Sequence, residues 1–244
     1  HPEAREISEA KELSAWLSDC LDELILTWYG KQPNLALQIQ SAALHQRFQW
    51  FAEEQAQRRQ QGWRIIEVEK PFELTLEQIT LRGKIDRIDQ HDSTGEWIMW
   101  DYKSGKISGK VSEQHCKAKQ ARTRVPAHLG DDPRLFFMSE ENKEMMWYNL
   151  QLPLYAAANL TPEFPGVGYI TMGDAREQVN FDPWQGFHPA IMESAKACAQ
   201  LIIERIHQGV FWPPAEKSQY DDFTILAAGA DLTTTTIPTH MTTV

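Results

Sequence analysis

The sequence is poor in cysteine and has no long hydrophobic run. Its 244 residues contain three cysteines, Cys20, Cys116 and Cys198, which lie far apart. They form no CxxC pair and no zinc or iron–sulfur spacing, and an odd, sparse count is typical of a reducing cytoplasm. No apolar stretch is long enough to span a bilayer. These absences predict a cytoplasmic protein without a membrane partner.

The sequence also lacks an initiating methionine and a signal peptide. It begins His1-Pro2, and no segment shows the basic, apolar and small-residue order of a signal peptide. The length suits one domain with long excursions, and a hydrophobic content of 42% is ordinary for a globular protein. We therefore expect a globular domain cut from a longer protein.

The chain as a whole carries an excess of negative charge, but one stretch of it is basic. The net charge is −10, which by itself disfavours a nucleic-acid partner because phosphates need cations. A local basic stretch can still bind phosphate, and the alternative is a solvated loop. One such stretch has Glu113 as its lone acid and contains Lys103, Lys106, Lys110, Lys117, Lys119, Arg122 and Arg124.

Apolar periodicity predicts two helices followed by a β-meander. Apolar residues at steps of three and four favour helices over Glu3–Tyr29 and Leu35–Gln61, and the polar end of the second helix, EEQAQRRQQ, is predicted to be exposed. The short segments WRIIEVEKPFEL, ITLRGKIDRID and EWIMWDYK are rich in Ile, Val, Trp and Phe, which favours three strands. We assign 1–62 to an N-terminal helical region, 63–212 to the core and 213–244 to an irregular tail.

The second half of the chain predicts a mixed α/β class. Residues 107–142 have little periodicity and much charge, which predicts a long loop with at most a short helix. Residues 143–158 are predicted to be helical despite Pro153. GVGYITMG predicts a fourth strand, and 189–207 a last helix. Helices, a meander, a helix, a strand and a helix together indicate a mixed α/β fold.

Two short segments of the meander carry acids and a lysine in an unusual arrangement. In EWIMWDYK, period-two alternation places Asp101 and Lys103 on the same face of the strand. In GKIDRID, Asp86 and Asp89 have opposite parity, so only one of them can join Asp101. Because the hairpin runs back on itself, Asp86 can lie across from Asp101.

Paired carboxylates of this kind favour a hard divalent cation. Asp86 and Asp101 would repel each other, and one would take up a proton unless a cation lay between them. Oxygen ligands suit Mg²⁺ or Mn²⁺. Such an ion with a lysine nearby can activate a water and offset charge on a phosphoryl oxygen. The alternative is an edge hairpin with a surface ion pair between Asp101 and Lys103.

Three motifs in order resemble the PD-(D/E)XK nuclease superfamily, and most closely its RecB and AddB nuclease domains. They read GKIDRID, DYKSG and QLPLYAAA, and the resemblance covers residues 64–158. It implies a restriction-endonuclease-like core, with a mixed central β-sheet flanked by helices and an N-terminal helical extension. It also implies a DNA nuclease that forms the C-terminal part of a repair or recombination protein, with a bound or fused helicase.

The resemblance implies roles for individual residues of the meander. Asp86 matches the first metal-binding aspartate and Asp101 the second acidic ligand. The backbone carbonyl of Tyr102 would complete the protein's share of the metal shell. Lys103 matches the lysine that orients or deprotonates the attacking water.

The third motif and three residues elsewhere also have counterparts in the family. Gln151 and Tyr155 match a Q-x-x-x-Y helix that contacts DNA or the lysine, and their i, i+4 spacing places them on one helical face. A helix that only packs on the sheet is the alternative. Glu69 lies where the family often has a glutamate beside the site, but Glu67 shares its face, so the two are not separated. His45 is an additional metal ligand or a packing residue.

The C-terminal part departs from many relatives, which end in a cysteine cluster that binds an iron–sulfur centre. The corresponding stretch, GVFWPPAEKSQYDDF, has no cysteine. No iron–sulfur cluster is therefore expected.

Three functions remain open at this point. The first is a DNA nuclease dependent on Mg²⁺ or Mn²⁺, with exonuclease or endonuclease action undecided. The second is a catalytically degenerate domain of the same fold that binds DNA or a helicase partner. The third is a small-molecule metalloenzyme or a plain scaffold. The intact set of Asp86, Asp101 and Lys103 favours the first.

Overall fold

The fold is described by a computed structural model over residues 2–120, 125 and 129–210. The predicted tail at 213–244 lies outside the described residues. The α-helices are α1 (Ala10–Tyr29), α2 (Leu35–Gln60), α3 (Gln151–Ala157) and α4 (Pro189–His207). The strands are β1 (Trp63–Leu76), β2 (Ile79–His91), β3 (Trp97–Lys103), β4 (Cys116–Ala118), β5 (Phe136–Met138), β6 (Glu144–Trp147), β7 (Gly166–Met172) and β8 (Val179–Pro183).

A five-stranded mixed sheet forms the centre of the fold, in the order β1-β2-β3-β7-β8. The predicted meander supplies β1 to β3, which are antiparallel, and the predicted fourth strand, β7, lies parallel to β3. At Gly168, an added Cβ would lie 2.6 Å from a ring carbon of Trp100, so this position of β7 requires glycine. The edge strand β8 was not predicted.

Of the two N-terminal helices, α2 packs on one face of this sheet and α1 packs against α2. Their predicted positions are confirmed, except that residues 2–6 form a separate 3-10 helix before α1. The Asn34 side chain accepts a hydrogen bond from the backbone N–H of Leu37 at 2.9 Å and so caps α2. The polar end of α2 is not fully exposed as predicted, because Gln55 is buried and Arg58 reaches into the sheet.

The segment between β3 and α3 differs from the prediction. The expected loop at 107–142 contains β4, β5 and two short 3-10 helices, and the expected helix at 143–158 begins only at Gln151. The residues before it form β6, the middle strand of a small antiparallel sheet, β4-β6-β5. Helix α3 tolerates Pro153 because a first-turn N–H has no partner within the helix.

The central sheet is buried on both faces. Trp100 and Ile170 pack with Phe51 of α2 on one face, whereas Met99 and Val167 share a core with α3 and α4 on the other. The predicted mixed sheet flanked by helices is therefore confirmed. Among the described residues, no helix combines the length and the apolar character that a membrane crossing requires.

Candidate active site

Asp101 and Lys103 lie on the face of β3 that is turned toward α3. Alternation along the strand gives them the same face as the buried Met99. The Asp101 side chain is 7% exposed, and the Lys103 side chain is 36% exposed. The lysine Nζ lies 2.7 Å from Asp101 Oδ2. The nearly buried Asp101 carboxylate thus pairs with Lys103, whose side chain is exposed enough to contact a ligand.

Asp86 lies beside this pair on the neighbouring strand. The β2–β3 ladder ends at Arg87 and Trp100, so the next position brings Asp86 opposite Asp101. Asp86 Oδ2 accepts a hydrogen bond from the backbone N–H of Tyr102 at 2.8 Å. Burial raises the pKa of Asp86, the Tyr102 hydrogen bond opposes that rise, and repulsion from Asp101 adds to it. A cation would relieve this repulsion.

The backbone of Tyr102 is directed toward Asp86. A strand residue directs its N–H and C=O to the same side, and the Tyr102 N–H donates to Asp86. Its carbonyl oxygen is therefore directed toward β2 rather than toward β7. The Tyr102 ring lies on the opposite face of the sheet, 6.4 Å from the ring of Phe51.

Helix α3 brings Gln151 and Tyr155 into the same cluster. Gln151 Nε2 donates to Asp101 Oδ1 at 2.6 Å, and Gln151 Oε1 accepts from Lys103 Nζ at 3.3 Å. The Tyr155 hydroxyl donates to Asp101 Oδ1 at 3.3 Å. Burial raises the pKa of Tyr155 to about 12, so this hydroxyl stays protonated at neutral pH. Gln151 is therefore a bridge between the buried acid and the lysine.

The donor atoms of this cluster fit a hard divalent cation. Asp101 Oδ2 is buried and has no hydrogen-bond partner, although Lys103 lies close to it. Two carboxylates and a backbone carbonyl are the oxygen ligands that Mg²⁺ and Mn²⁺ prefer. Over residues 2–120, 125 and 129–210, no three side chains from His, Cys, Asp and Glu form a group that could hold a metal ion. Water and substrate oxygens would have to complete the shell.

The other predicted candidates lie in separate contacts. His45 Nε2 lies 3.1 Å from Asp22 of α1, and no described contact joins it to the carboxylates. Glu67 pairs with Lys70 at 2.8 Å. Glu69 pairs with a lysine of β2 and is near enough to Asp86 to contribute to its raised pKa. Of the two glutamates, Glu69 is thus the one whose charge adds to the raised pKa of Asp86.

Three residues beside the cluster were missed by the sequence analysis. Tyr169 of β7 is paired with Asp101, and Lys103 Nζ lies 5.1 Å from the centroid of its ring. His115 and Asn149 lie behind it in the core. No local pattern points to a role for them at the site, because their contacts span 34 to 54 positions of the chain.

The basic stretch leaves the sheet directly after the candidate site. Lys106 lines a cleft next to β7 and β8. Lys117 lies on β4 with its Nζ 6.0 Å from the Tyr148 ring centroid, and Lys119 Nζ lies 3.0 Å from Glu144. The predicted contributions of Arg122 and Arg124 lie outside the described residues.

Comparison with known families assigns the chain to a class. The family model of the PD-(D/E)XK nuclease superfamily matches residues 2–123, half of the chain. The chain belongs to this superfamily. The matched residues include Asp86, Asp101 and Lys103 and end before α3. A search of the curated proteins finds no match.

Membership of the superfamily agrees with the architecture. A mixed sheet flanked by helices, with the acidic pair at the end of a meander, is the restriction-endonuclease-like fold that the motifs predict. Proteins of this superfamily are generally nucleases, and they typically use divalent metal ions. The chain is accordingly a nuclease-family domain.

Proposed function

We propose that this chain is a DNA nuclease that hydrolyses phosphodiester bonds with Mg²⁺ or Mn²⁺. One observation carries the proposal. The nearly buried carboxylate of Asp101 has one oxygen without a hydrogen bond, and around it lie Asp86, Lys103 and Gln151. An ion pair with Lys103, whose Nζ lies 2.7 Å from this oxygen, offsets only one of the two carboxylate charges that meet here, so Asp101 and Asp86 would still repel each other without a cation between them.

Asp86, Asp101 and the Tyr102 carbonyl are the groups that would hold the ion. When bound, the ion supplies a Lewis acid and lowers the pKa of a ligated water. The Asp101 carboxylate keeps its orientation because Gln151 and Tyr155 both donate to its Oδ1. The remaining oxygen, Oδ2, is thereby left for the ion and for Lys103.

Lys103 would orient the attacking water and stabilise the charge that develops on the phosphoryl group. Gln151 Oε1 accepts from its Nζ and fixes where the ammonium lies. A positioned donor of this kind contributes most where charge develops in the transition state. About a third of the side chain remains exposed, so it can reach a substrate.

DNA is the substrate that the basic stretch after β3 favours. Its cations lie on the segment that leaves the sheet beside the carboxylates, where they can follow a phosphate backbone without reading bases. A role in repair or recombination, with a helicase as partner, rests on the resemblance to RecB and AddB domains. The three free cysteines fit a cytoplasmic location.

The metal part of the proposal is tested by calorimetry with Mg²⁺ and Mn²⁺. Asp86→Asn and Asp101→Asn should each weaken binding strongly, since each removes one of two carboxylate ligands. Asp182→Asn is the matched control. Asp182 is also partly buried with a raised pKa, but it lies on β8 and should leave binding unchanged. Unchanged binding in both site variants would reject the assignment.

The activity is tested by digestion of linear and circular DNA with each metal. Wild type should cleave and Asp101→Asn should not. Cleavage of circular DNA would identify endonuclease action, whereas cleavage of linear DNA alone would identify an exonuclease. If wild type binds DNA and metal but cuts neither substrate, the chain is the catalytically degenerate domain instead.

A further inference from the structure

His115 is a fully buried polar residue that the proposed reaction does not use. It follows the 3-10 helix at 111–114 and directly precedes β4. Its ring stacks on Tyr169 and on Trp184, with centroid distances of 5.7 and 4.9 Å. Stacking alone would be served by an apolar ring, so its polar atoms need their own explanation.

Both ring nitrogens of His115 are hydrogen-bonded, and the partners fix the tautomer. Nδ1 lies 3.0 Å from the backbone carbonyl oxygen of Asn149, which can only accept, so Nδ1 carries the proton. Nε2 of the neutral ring then accepts from the Tyr169 hydroxyl at 2.8 Å. Burial lowers the pKa of His115 to about 4, which keeps the ring neutral at physiological pH.

The backbone of His115 holds the same segment. Its carbonyl oxygen accepts from the N–H of Tyr148 at 3.0 Å and from the N–H of Asn149 at 3.2 Å. The residues that lead into α3 are therefore attached to His115 by its side chain and by its main chain.

Each side-chain partner of His115 is one contact away from the candidate site. The Asn149 side chain accepts from the backbone N–H of Gln151 at 3.0 Å, at the first residue of α3. Gln151 is the bridge between Asp101 and Lys103. Tyr169 lies under the lysine. Two short paths thus run from the buried histidine, one through the helix and one through β7.

We propose that His115 is a positioning residue that fixes the start of α3 through Asn149 and so holds Gln151 between Asp101 and Lys103. The inference rests on the proposed nuclease function. The path through Asn149 dominates, because it ends on a hydrogen bond to Gln151, whereas the path through Tyr169 ends on a 5.1 Å ring contact.

Three substitutions of His115 distinguish the roles of its ring, its Nδ1 donor and its Nε2 acceptor, and a fourth substitution tests Tyr169. His115→Phe keeps the ring and removes both hydrogen bonds. His115→Gln can keep an acceptor for Tyr169 and loses the donor to Asn149. His115→Asn can keep that donor, since its amide nitrogen occupies the place of Nδ1. Tyr169→Phe removes the second path together with a hydrogen bond between Tyr169 and the Asn149 side chain, and it leaves the bond from His115 to Asn149 in place.

The expected kinetic result is a fall in kcat with little change in KM for DNA. His115→Phe and His115→Gln should lower kcat about 10- to 100-fold, as is usual for groups that orient catalytic residues. His115→Asn should restore most of the rate, and Tyr169→Phe should cost less than His115→Gln. Cys116→Ala is the control, because it removes a buried neighbour that has no bond to α3.

Hydrogen exchange of the metal-free protein gives a second readout. The Gln151 amide should exchange faster in His115→Phe and His115→Gln than in wild type or in Cys116→Ala. Should His115→Phe not fold, His115→Gln carries the test. Equal kcat and equal exchange in His115→Gln and Cys116→Ala would reduce His115 to a packing residue and overturn the proposal.

The two proposals fail in different ways. If wild type cuts no DNA, the nuclease function is wrong, and the exchange of Gln151 together with Mn²⁺ affinity still decides the role of His115. Weaker Mn²⁺ binding and faster exchange in His115→Gln, with neither in Cys116→Ala, would support positioning of the cluster. Unchanged exchange would reject it.

Discussion

The two faces of the central sheet differ in how far the charge of their aspartates is neutralised. Asp86 and Asp89 stand three residues apart in GKIDRID and face opposite sides of β2. On the face toward α2, Asp89 is fully buried and accepts four hydrogen bonds. These come from Arg87 Nε at 2.6 Å, Arg87 Nη2 at 2.9 Å, Arg58 Nε at 3.1 Å and Trp100 Nε1 at 3.1 Å.

The face toward α3 has less neutralisation, because two carboxylates share one lysine. Asp101 has Lys103 and two neutral donors, and its Oδ2 has no hydrogen bond. Asp86 has one backbone donor and a raised pKa. A buried carboxylate held by two guanidinium groups and an indole N–H is structural, whereas two neighbouring carboxylates that share one lysine are available to a further cation. The comparison therefore separates the aspartate that holds the fold from the two that we assign to the metal.

The largest effect is expected from Lys103→Ala. Loss of the positioned ammonium should lower the rate of DNA cleavage about 10²- to 10⁴-fold, measured with Mg²⁺ at saturating DNA. The melting temperature should change little, because a partly exposed lysine contributes little packing. Lys70→Ala is the control on β1, since within the described part of the chain Lys70 pairs only with Glu67. Wild-type cleavage by Lys103→Ala would disprove the mechanism.

Asp89→Asn should have the opposite effect, lowering the stability of the fold and leaving DNA cleavage in place. It leaves the guanidinium groups of Arg87 and Arg58 buried without their charge partner, which we expect to cost about 3–5 kcal/mol of unfolding free energy. Cleavage per folded molecule should persist. Urea unfolding measures the loss, and Asp92→Asn, which removes a surface pair with Arg64, should lose much less. A loss of cleavage without a loss of stability would reverse the assignment of the two faces.

The pH dependence of stability tests the buried histidine on the Asp101 face. The folded-state pKa of His115 is lowered to about 4, from a reference value of 6.5. The unfolded chain therefore binds more protons, and stability is lost as pH falls through this window. The loss attributable to His115 should reach about 3 kcal/mol near pH 4. His115→Asn should show a correspondingly flatter curve in unfolding measurements from pH 7 to pH 4, and parallel curves would contradict the assignment.

The smallest effect is expected on the salt dependence of DNA binding. Replacing Lys117 and Lys119 with Gln should lower the slope of log affinity against log salt by roughly 2, about one for each lost phosphate contact. Metal binding should be unchanged. Lys11→Gln with Lys31→Gln is the matched control, because it removes the same charge around α1, on the far side of the sheet. If both pairs change the slope equally, the stretch after β3 is only a solvated surface.

Much of the site's framework follows from local patterns in the sequence. Alternation along EWIMWDYK is enough to place Asp101 with Lys103, and parity in GKIDRID separates Asp86 from Asp89. Helices α1 and α2 follow from their apolar steps. These features are readable because strand alternation and helical period act over a few residues.

The small sheet and the edge strand β8 could not be predicted from local sequence patterns. Strands β4, β5 and β6 have only three or four residues each, so their pattern is too short to distinguish strand from loop or helix. Similarly, the polar end of α2 looks solvent-facing, and only the position of Asp89 beneath it explains why Arg58 is buried. Pairing across the chain overrides local pattern in both cases.

The sequence by itself determined the acidic pair and the lysine, because Asp86 to Lys103 span 18 residues of one hairpin. It also determined the three motifs of the superfamily, because each is a short local run of the chain. Only the tertiary structure decided that Gln151 bridges Asp101 and Lys103 and that His45 pairs with Asp22. It also decided that Lys103 Nζ lies 2.7 Å from Asp101 Oδ2. Contacts between residues some 50 positions apart depend on how the elements pack, and no local periodicity encodes them.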